Sequence, residues 1–267
     1  MFNPSLYQHN SGFDAGNSIV NYALSIIFLG QSWTLKFVPG SNLPFWSLNY
    51  EAWYYIMYAC LIFFSGKQRL LLLLAAALLA GSKILSLFPI WLMGLLAWRL
   101  KDLVSPRLGT VLVLGAIASF VGLEIIGGQE LFPAANTPWL PHEFSAYDFV
   151  IGLIIATLIC GMARARLPMP GKKLTGAVHA LAGTTFGRYL FHYPLLNFFG
   201  SVLPGEPASW VHRILLFGFV LGTSLLLAAL VEQRKSALKR FLRSVLNRAD
   251  PIIRDIVVRN PKRRFTG

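Results

Sequence analysis

Apolar runs long enough to cross a lipid bilayer constrain this chain more than any other feature. Six of them can be placed along the sequence, at 45–64, 86–100, 110–127, 147–163, 184–203 and 214–231. A spanning helix needs roughly 17–25 such residues, because it must cross about 30 Å of hydrocarbon. Only 13% of the residues are charged and the mean hydropathy is +0.57. The runs therefore predict a membrane protein built from helices.

Two shorter apolar runs complete the predicted architecture. The run at 70–80 is counted as a seventh span, because the basic residues flanking its neighbours require an odd number of crossings between them. The run at 19–30 is followed by Trp33 and is too short for a full crossing, which favours an interfacial or re-entrant helix. The predicted fold class is an all-α polytopic bundle of about seven spans plus this short N-terminal helix.

The positive charge in the loops orients the bundle. Lys and Arg concentrate in alternate loops and behind the last run, whereas the opposite side holds only Lys36, Lys83 and Arg213. Because short loops rich in Lys and Arg stay in the cytoplasm, the C-terminus is predicted to be inside. The predicted organisation is an extracytoplasmic segment with a short interfacial helix at 1–44, a transmembrane bundle at 45–231 and a basic cytoplasmic tail at 232–267.

The net charge of +13 does not indicate nucleic-acid binding. Eleven of the 24 Lys and Arg residues follow Val231, directly behind the last apolar run. A basic juxtamembrane tail is typical of a segment that faces anionic head groups, and no nucleic-acid recognition motif accompanies it. Membrane lipids are therefore expected partners and nucleic acid is not. No metal-ligand spacing or phosphate-binding glycine loop occurs either, so no metal and no bound cofactor are expected.

One carboxylate, Glu51, lies in "PFWSLNYEAWYY", at the start of the first apolar run. Tyr55 follows it by one helical turn on the same face. A carboxylate inside the hydrocarbon boundary is costly unless it is paired or hydrated, which makes it a functional candidate. The alternative is an interfacial glutamate that reaches outward and contacts only head groups.

A second candidate segment is "FGRYLFHYPLLNFF", which places Arg188, His192 and Asn197 in one otherwise apolar helix. Arg188 and His192 are one turn apart and share a face, and Pro194 weakens the helical hydrogen bonding just beyond them. A neutral imidazole can relay protons or bind a carboxylate. The alternatives are a core histidine bonded to a neighbouring helix, and an arginine that anchors to anionic lipid or phosphate.

These two segments resemble the signatures of the integral membrane acyltransferase-3 family. "WSLNYEAWYY" is similar to its tryptophan-serine-leucine, glutamate, aromatic-tyrosine signature, and "TTFGRYLFHYPLL" is similar to its later tyrosine-leucine-x-histidine-x-proline signature. The resemblance runs from about residue 26 to residue 243, with both signatures in the family's order. The matching positions are Trp46, Ser47, Leu48, Glu51, Tyr55, Tyr189, Leu190, His192 and Pro194.

The resemblance implies a fold and an activity. Family members are typically ten-helix enzymes of the bacterial inner (plasma) membrane that move an acyl group, often acetyl, from cytoplasmic acyl-CoA. The acceptor is a hydroxyl of a sugar, polysaccharide or lipid-linked glycan on the outer side. Their early helices supply a histidine and an arginine pair that have no counterpart in this chain. Seven spans against ten imply that the chain lacks the first three helices of the family.

The functional prediction is a membrane O-acyltransferase that uses acyl-CoA, acetyl-CoA by family habit, as its donor. Glu51 and His192 are the predicted catalytic residues. Trp46, Ser47, Tyr55, Tyr189, Arg188 and Asn197 are the predicted substrate-binding residues. General base work by a carboxylate requires it to lie within hydrogen-bond reach of the acceptor hydroxyl, and partial burial improves the base. The alternative is a non-catalytic membrane module: a transporter-like bundle, a glycan- or lipid-binding partner, or an inactive truncated remnant.

Overall fold

A computed structural model describes residues 18–132, 145–166, 171–206 and 208–248 of the chain. The α-helices in these ranges are α1 (Ser18–Ile26), α2 (Trp46–Phe63), α3 (Gly66–Ser86), α4 (Phe88–Leu100), α5 (Pro106–Ile125), α6 (Gly128–Leu131), α7 (Ala146–Met162), α8 (Lys172–Val202) and α9 (Trp210–Arg248). Short 3-10 turns at Leu43–Phe45 and Lys101–Leu103 complete them. The described part contains no β-strand, so the all-α class is confirmed there.

Each predicted apolar run corresponds to a helix, but the capacity to span a membrane is uneven. Within the described ranges, three helices are long and apolar enough to cross: α3, α5 and the part of α9 up to Phe241. Helix α7 is a shorter apolar helix, and α4 has 13 residues, about 20 Å at 1.5 Å per residue. The protein is thus a helical membrane protein, whereas the count of seven spans stays a prediction. The predicted segments before Ser18 and beyond Arg248 lie outside the described residues.

The helix limits are set by local chemistry that the apolar pattern does not show. Helix α5 begins at Pro106, and the Ser105 hydroxyl accepts a hydrogen bond from the Leu108 backbone N–H at 3.3 Å. At the start of α7 the backbone N–H of Ser145 donates to the Asp148 carboxylate at 2.8 Å. Proline in the first turn and such N-terminal caps satisfy the free backbone groups of a helix end. Helix α9 continues to Arg248 as one helix, so the basic stretch behind the last predicted span is helical.

The chain divides into two compact units, which are described separately. One comprises Ile19–Phe37 and Trp46–Gly171. Its main core lies between α2 and α3 and contains Tyr50, Trp53, Tyr54, Met57, Ala76, Ala80 and Ile84. In the same unit, α5 and α7 approach closely at two glycines: a Cβ added to Gly161 would lie 2.9 Å from the backbone oxygen of Gly109. Small residues at a contact allow two membrane helices to approach in this way.

The other unit contains Val38–Phe45 and the described chain from Lys172 onward, together with Ser18. Helices α8 and α9 pack against each other within it. A Cβ added to Gly187 would lie 2.8 Å from the Cβ of Ala228, so glycine is needed for the observed helix separation. The ring centroids of Phe199 and Phe219 are 5.4 Å apart at the same contact. The side chains of this helix pair otherwise face outward to a large extent.

Candidate functional site

Helix α2 has a buried face and an exposed face, and the first signature is divided between them. Asn49, Tyr50, Trp53 and Tyr54 are buried. Glu51 is exposed, and Tyr55, one turn further along, is 57% exposed. At 100° per residue, position 51 lies roughly opposite both position 49 and position 53. The described residues therefore do not supply the partial burial of Glu51 that the sequence analysis expects, and the carboxylate points away from the core.

Aromatic rings flank Glu51 along the helix. Trp46 is 37% exposed and makes an edge-on contact with Tyr50, with the ring centroids 5.2 Å apart. The Tyr55 ring lies edge-on to Trp91 of α4 at 5.8 Å. Edge-on contacts of this kind hold both rings in defined orientations. Tyr55 thus presents a fixed aromatic surface on the side of α2 that carries Glu51, whereas the Trp46 ring contacts the buried Tyr50, and Ser47 is half-buried in the first turn.

His192 lies half-buried in α8, and among the residues that the structure describes it is bonded to the backbone of its own helix and not to a neighbouring helix. Its Nδ1 is 2.7 Å from the carbonyl oxygen of Tyr189 and 3.3 Å from that of Arg188. Because a carbonyl can only accept, these bonds require Nδ1 to carry the proton in the neutral ring. Nε2 then holds the lone pair, which is the arrangement that a histidine needs to accept a proton or a hydrogen bond.

The remaining residues of the second segment occupy different environments. The Tyr189 hydroxyl donates to the backbone oxygen of Pro44 at 3.2 Å, which ties α8 to the 3-10 turn Leu43–Phe45. Arg188 is half-buried. Asn197 is 9% exposed, and its amide nitrogen has no hydrogen-bond partner among the described residues. A buried amide donor without a partner costs stability unless a ligand or a water supplies one.

The predicted place of Lys83 in an outer loop is wrong. The loop charge count places it in an outer segment, but the structure buries it inside α3 at 1% exposure. Its ammonium donates to the Gln31 side-chain oxygen at 2.7 Å and to the Leu35 backbone oxygen at 3.1 Å. One sequence feature could have indicated this burial: the lysine stands two residues after Gly81 in an apolar run. Lys83 is therefore not a loop charge, and the charge asymmetry on which the predicted orientation rests is larger without it.

The described residues contain no group of three or more His, Cys, Asp or Glu side chains that could hold a metal ion. Cys60 and Cys160 are both buried free thiols. The polar side chains of the two candidate segments carry carboxylate, imidazole, guanidinium, amide and hydroxyl groups. These groups perform proton transfer and hydrogen bonding.

The described residues form a helical membrane protein with long apolar helices. A family model described as an acyltransferase domain, that of the acyltransferase-3 family, matches residues 6–232. The chain belongs to this family, and the resemblance drawn from its two signatures is confirmed. A comparison with curated proteins and a comparison with solved structures each gave no match.

Proposed function

We propose that this membrane acyltransferase moves an acyl group, acetyl in the simplest case, from acyl-CoA to a hydroxyl of an extracytoplasmic sugar, polysaccharide or lipid-linked glycan. Membership of the acyltransferase-3 family supports the reaction class. The observation that supports the roles of the residues is the exposed face of α2, where Glu51 lies beside Tyr55 and away from the core. A carboxylate on that face is free to approach an acceptor.

In the proposed reaction, the oxygen of the acceptor hydroxyl attacks the carbonyl carbon of the acyl group while Glu51 accepts the proton of that hydroxyl. The new ester bond forms and the thioester bond breaks, so that coenzyme A leaves as a thiolate, which takes up a proton. Ser47 and Tyr55, each one turn from Glu51, orient the acceptor on this face of α2, and Trp46 is assigned to substrate binding at the start of the helix. A carboxylate placed in this way contributes typically 10²–10⁴-fold as a general base.

His192 is assigned to the path of the acyl group. Its Nε2 accepts a hydrogen bond or a proton, because the Tyr189 carbonyl holds the proton on Nδ1. Arg188 and Asn197 are assigned to binding, since a guanidinium pairs with phosphate and a buried amide donor pairs with a carbonyl or hydroxyl oxygen. Tyr189 supports the segment through its bond to Pro44.

The test of this function is Glu51→Gln in the protein with any upstream sequence that the genome encodes. Glutamine keeps the size and much of the hydrogen bonding but cannot accept the proton. We expect acylation of the outer glycan to fall by at least 100-fold, with membrane insertion unchanged. Glu130→Gln is the matched control, because Glu130 is an exposed carboxylate elsewhere in the chain. Full acylation by Glu51→Gln would leave the carboxylate as an anchor and overturn the assignment.

We further propose seven spans, with the C-terminus in the cytoplasm of a bacterium and the 128–146 segment outside. The pair Gln68→Cys and Gln129→Cys tests this orientation in a background with Cys60→Ser and Cys160→Ser, because both glutamines are exposed and uncharged. An impermeant thiol reagent added outside should label position 129 and leave position 68 unlabelled until the membrane is opened. The reverse pattern would invert the proposed topology.

A further inference from the structure

A buried lysine in a membrane helix needs an explanation, and Lys83 is the most deeply buried charged side chain described. Its exposure is 1%, so its ammonium cannot reach lipid head groups or water, as long basic side chains near helix ends usually do. Lysine is almost never fully buried unless it is paired. Its described acceptors, Gln31 and Leu35, both belong to the 27–37 loop that connects α1 to the following segment.

The 27–37 loop is closed by hydrogen bonds around this ammonium. Gln31, which is 4% exposed, uses its side-chain oxygen for Lys83 and its Nε2 to donate to the Phe37 backbone oxygen at 3.1 Å. The Phe37 N–H donates in turn to the Gly30 oxygen at 2.8 Å. Both polar groups of the Gln31 side chain thus have partners, and the backbone bond between Gly30 and Phe37 brings the end of the loop back beside Gln31. Non-helical backbone is tolerated at membrane depth only when its polar groups are satisfied in this way.

The same loop holds two residues in the left-handed backbone region, where bulky side chains are rare. Phe28 has φ 57° and Trp33 has φ 55°. Such residues persist only where surrounding contacts fix them. The Trp53 indole of α2 donates to the Phe28 oxygen at 2.8 Å, and Trp33 donates from its backbone and its indole to the Ala80 and Leu78 oxygens of α3. The loop is therefore bonded to both α2 and α3.

One of these bonds bears on how α2 is rotated about its axis. Trp53 is bonded to the loop, and Asn49, one turn earlier on the same face, is fully buried. Glu51 lies on the opposite face, so a rotation of α2 that released Trp53 would carry the carboxylate toward the core. Trp53 of α2 is thus bonded to the same loop that bonds the Lys83 ammonium, and the bond from the Tyr54 hydroxyl to the Ile84 oxygen joins α2 to α3 beside it.

We propose that Lys83 is a positioning residue: its buried ammonium fixes the 27–37 loop against α3, and the loop fixes the rotation of α2 that directs Glu51 outward. The catalytic part of this inference rests on the proposed function of Glu51. The structural part does not, because it concerns only the loop and the two helices. Lys83 itself, at 1% exposure, is not placed to touch a substrate.

The structural part is tested by thiol labelling in a Cys60→Ser, Cys160→Ser background carrying Ser32→Cys. Ser32 is 4% exposed and its hydroxyl has no hydrogen-bond partner among the described residues, so this exchange is mild. A small permeant maleimide should react with position 32 at least tenfold faster after Lys83→Met. The matched control Lys67→Met removes an exposed lysine from the first turn of the same helix and should leave the rate unchanged.

A second variant allows the same labelling test if the Lys83→Met protein does not insert into the membrane. Gln31→Met keeps the ammonium but removes its side-chain acceptor and the bond to Phe37. It should accelerate labelling at position 32 as well. Unchanged labelling in an inserted variant of either kind would show that other contacts fix the loop, and the proposal would be wrong.

The positioning role is tested by a different measurement, the labelling rate at position 51. This rate would not change if Lys83 fixed only the loop. In the same background, Glu51→Cys reports the direction of the exposed face of α2, and Lys83→Met should slow its labelling at least threefold. Acylation per inserted molecule should fall at least tenfold in Lys83→Met when Glu51 is intact. If labelling at position 51 and acylation both stay at the parent level, Lys83 does not position Glu51. If Glu51→Gln alone keeps full acylation, the proposed function of Glu51 is wrong. The labelling at position 32 then still shows whether Lys83 fixes the 27–37 loop.

Discussion

The region around α2, α3 and the 27–37 loop and the pair formed by α8 and α9 are held by different contacts. In the first region, side chains bond to backbone oxygens distant in the sequence, as Trp53 does to Phe28 and Tyr54 does to Ile84. In the second, most described side-chain bonds are local, such as that of His192 to Tyr189. The helices of the pair meet instead at Gly187 and Ala228.

This difference reflects what each region must do in lipid. Apart from the interruption at Pro194, the two helices of the pair satisfy their internal backbone groups themselves, so small residues and close packing are enough to bring them together. A loop and a kinked helix have unsatisfied backbone groups, which must find partners where water is absent. The stability of the first region should therefore depend on single side-chain groups at the loop. The second region should tolerate substitutions away from the contact between its two helices.

The largest effect is expected from Gly81→Ala. Gly81 has φ 81° and ψ 171°, a conformation that other residues avoid, and an added Cβ would lie 2.6 Å from the backbone nitrogen of Trp33. Backbone strain of about 1–3 kcal/mol would add to the clash, for a total loss of roughly 3 kcal/mol. Thermal unfolding in a fixed detergent measures it. Gly115→Ala is the control, because nothing lies near its added Cβ, and it should be neutral or stabilising by up to about 1 kcal/mol.

The next effect is expected from Tyr54→Phe, which removes the bond from the Tyr54 hydroxyl to the Ile84 oxygen at 2.7 Å. The hydroxyl is buried, so the loss should be about 1–2 kcal/mol. The neighbouring Tyr55→Phe should change the unfolding midpoint little, because Tyr55 is 57% exposed. Equal midpoints for the two variants would contradict the view that hydrogen bonds hold this region.

The smallest effect is expected from Gly187→Ala in the second region. The added methyl would lie 2.8 Å from the Ala228 Cβ and would push α8 from α9, at a cost of about 1–3 kcal/mol. The higher helix propensity of alanine offsets up to about 1 kcal/mol, which leaves a net loss near 1 kcal/mol. Gly183→Ala has open space around its Cβ and should be neutral or stabilising. A larger loss at Gly187 than at Gly81 would reverse the comparison between the regions.

Much of the helical content could be predicted from the sequence, because apolar runs report helices directly. The predicted run at 45–64 became α2, and that at 147–163 became α7, each within two residues at either end. The run at 70–80 proved to be part of a longer helix, α3, which extends from Gly66 to Ser86 across a kink. Hydropathy alone did not reveal that extension, because Lys83 interrupts the apolar pattern while the fold buries it.

The candidate site divides in the same way. The sequence identified Glu51 and His192 as ionisable groups in apolar helices, and their two signatures identified the family. It did not show that Glu51 lies on the exposed face, nor that the His192 ring is bonded within its own helix. Both depend on how a helix is rotated and on side-chain conformation, which the order of residues constrains only weakly.

The sequence by itself determined that this chain is helical, that it belongs in a membrane and that it is an acyltransferase-3 protein, because hydrophobicity, helical length and short motifs are local properties. Only the tertiary structure decided the place of Lys83, since its partners Gln31 and Leu35 are 52 and 48 residues away in the chain. A lysine in an apolar run predicts equally an interfacial anchor or a buried contact. The choice depends on whether a distant loop brings carbonyl groups to the ammonium, and only folding brings them together.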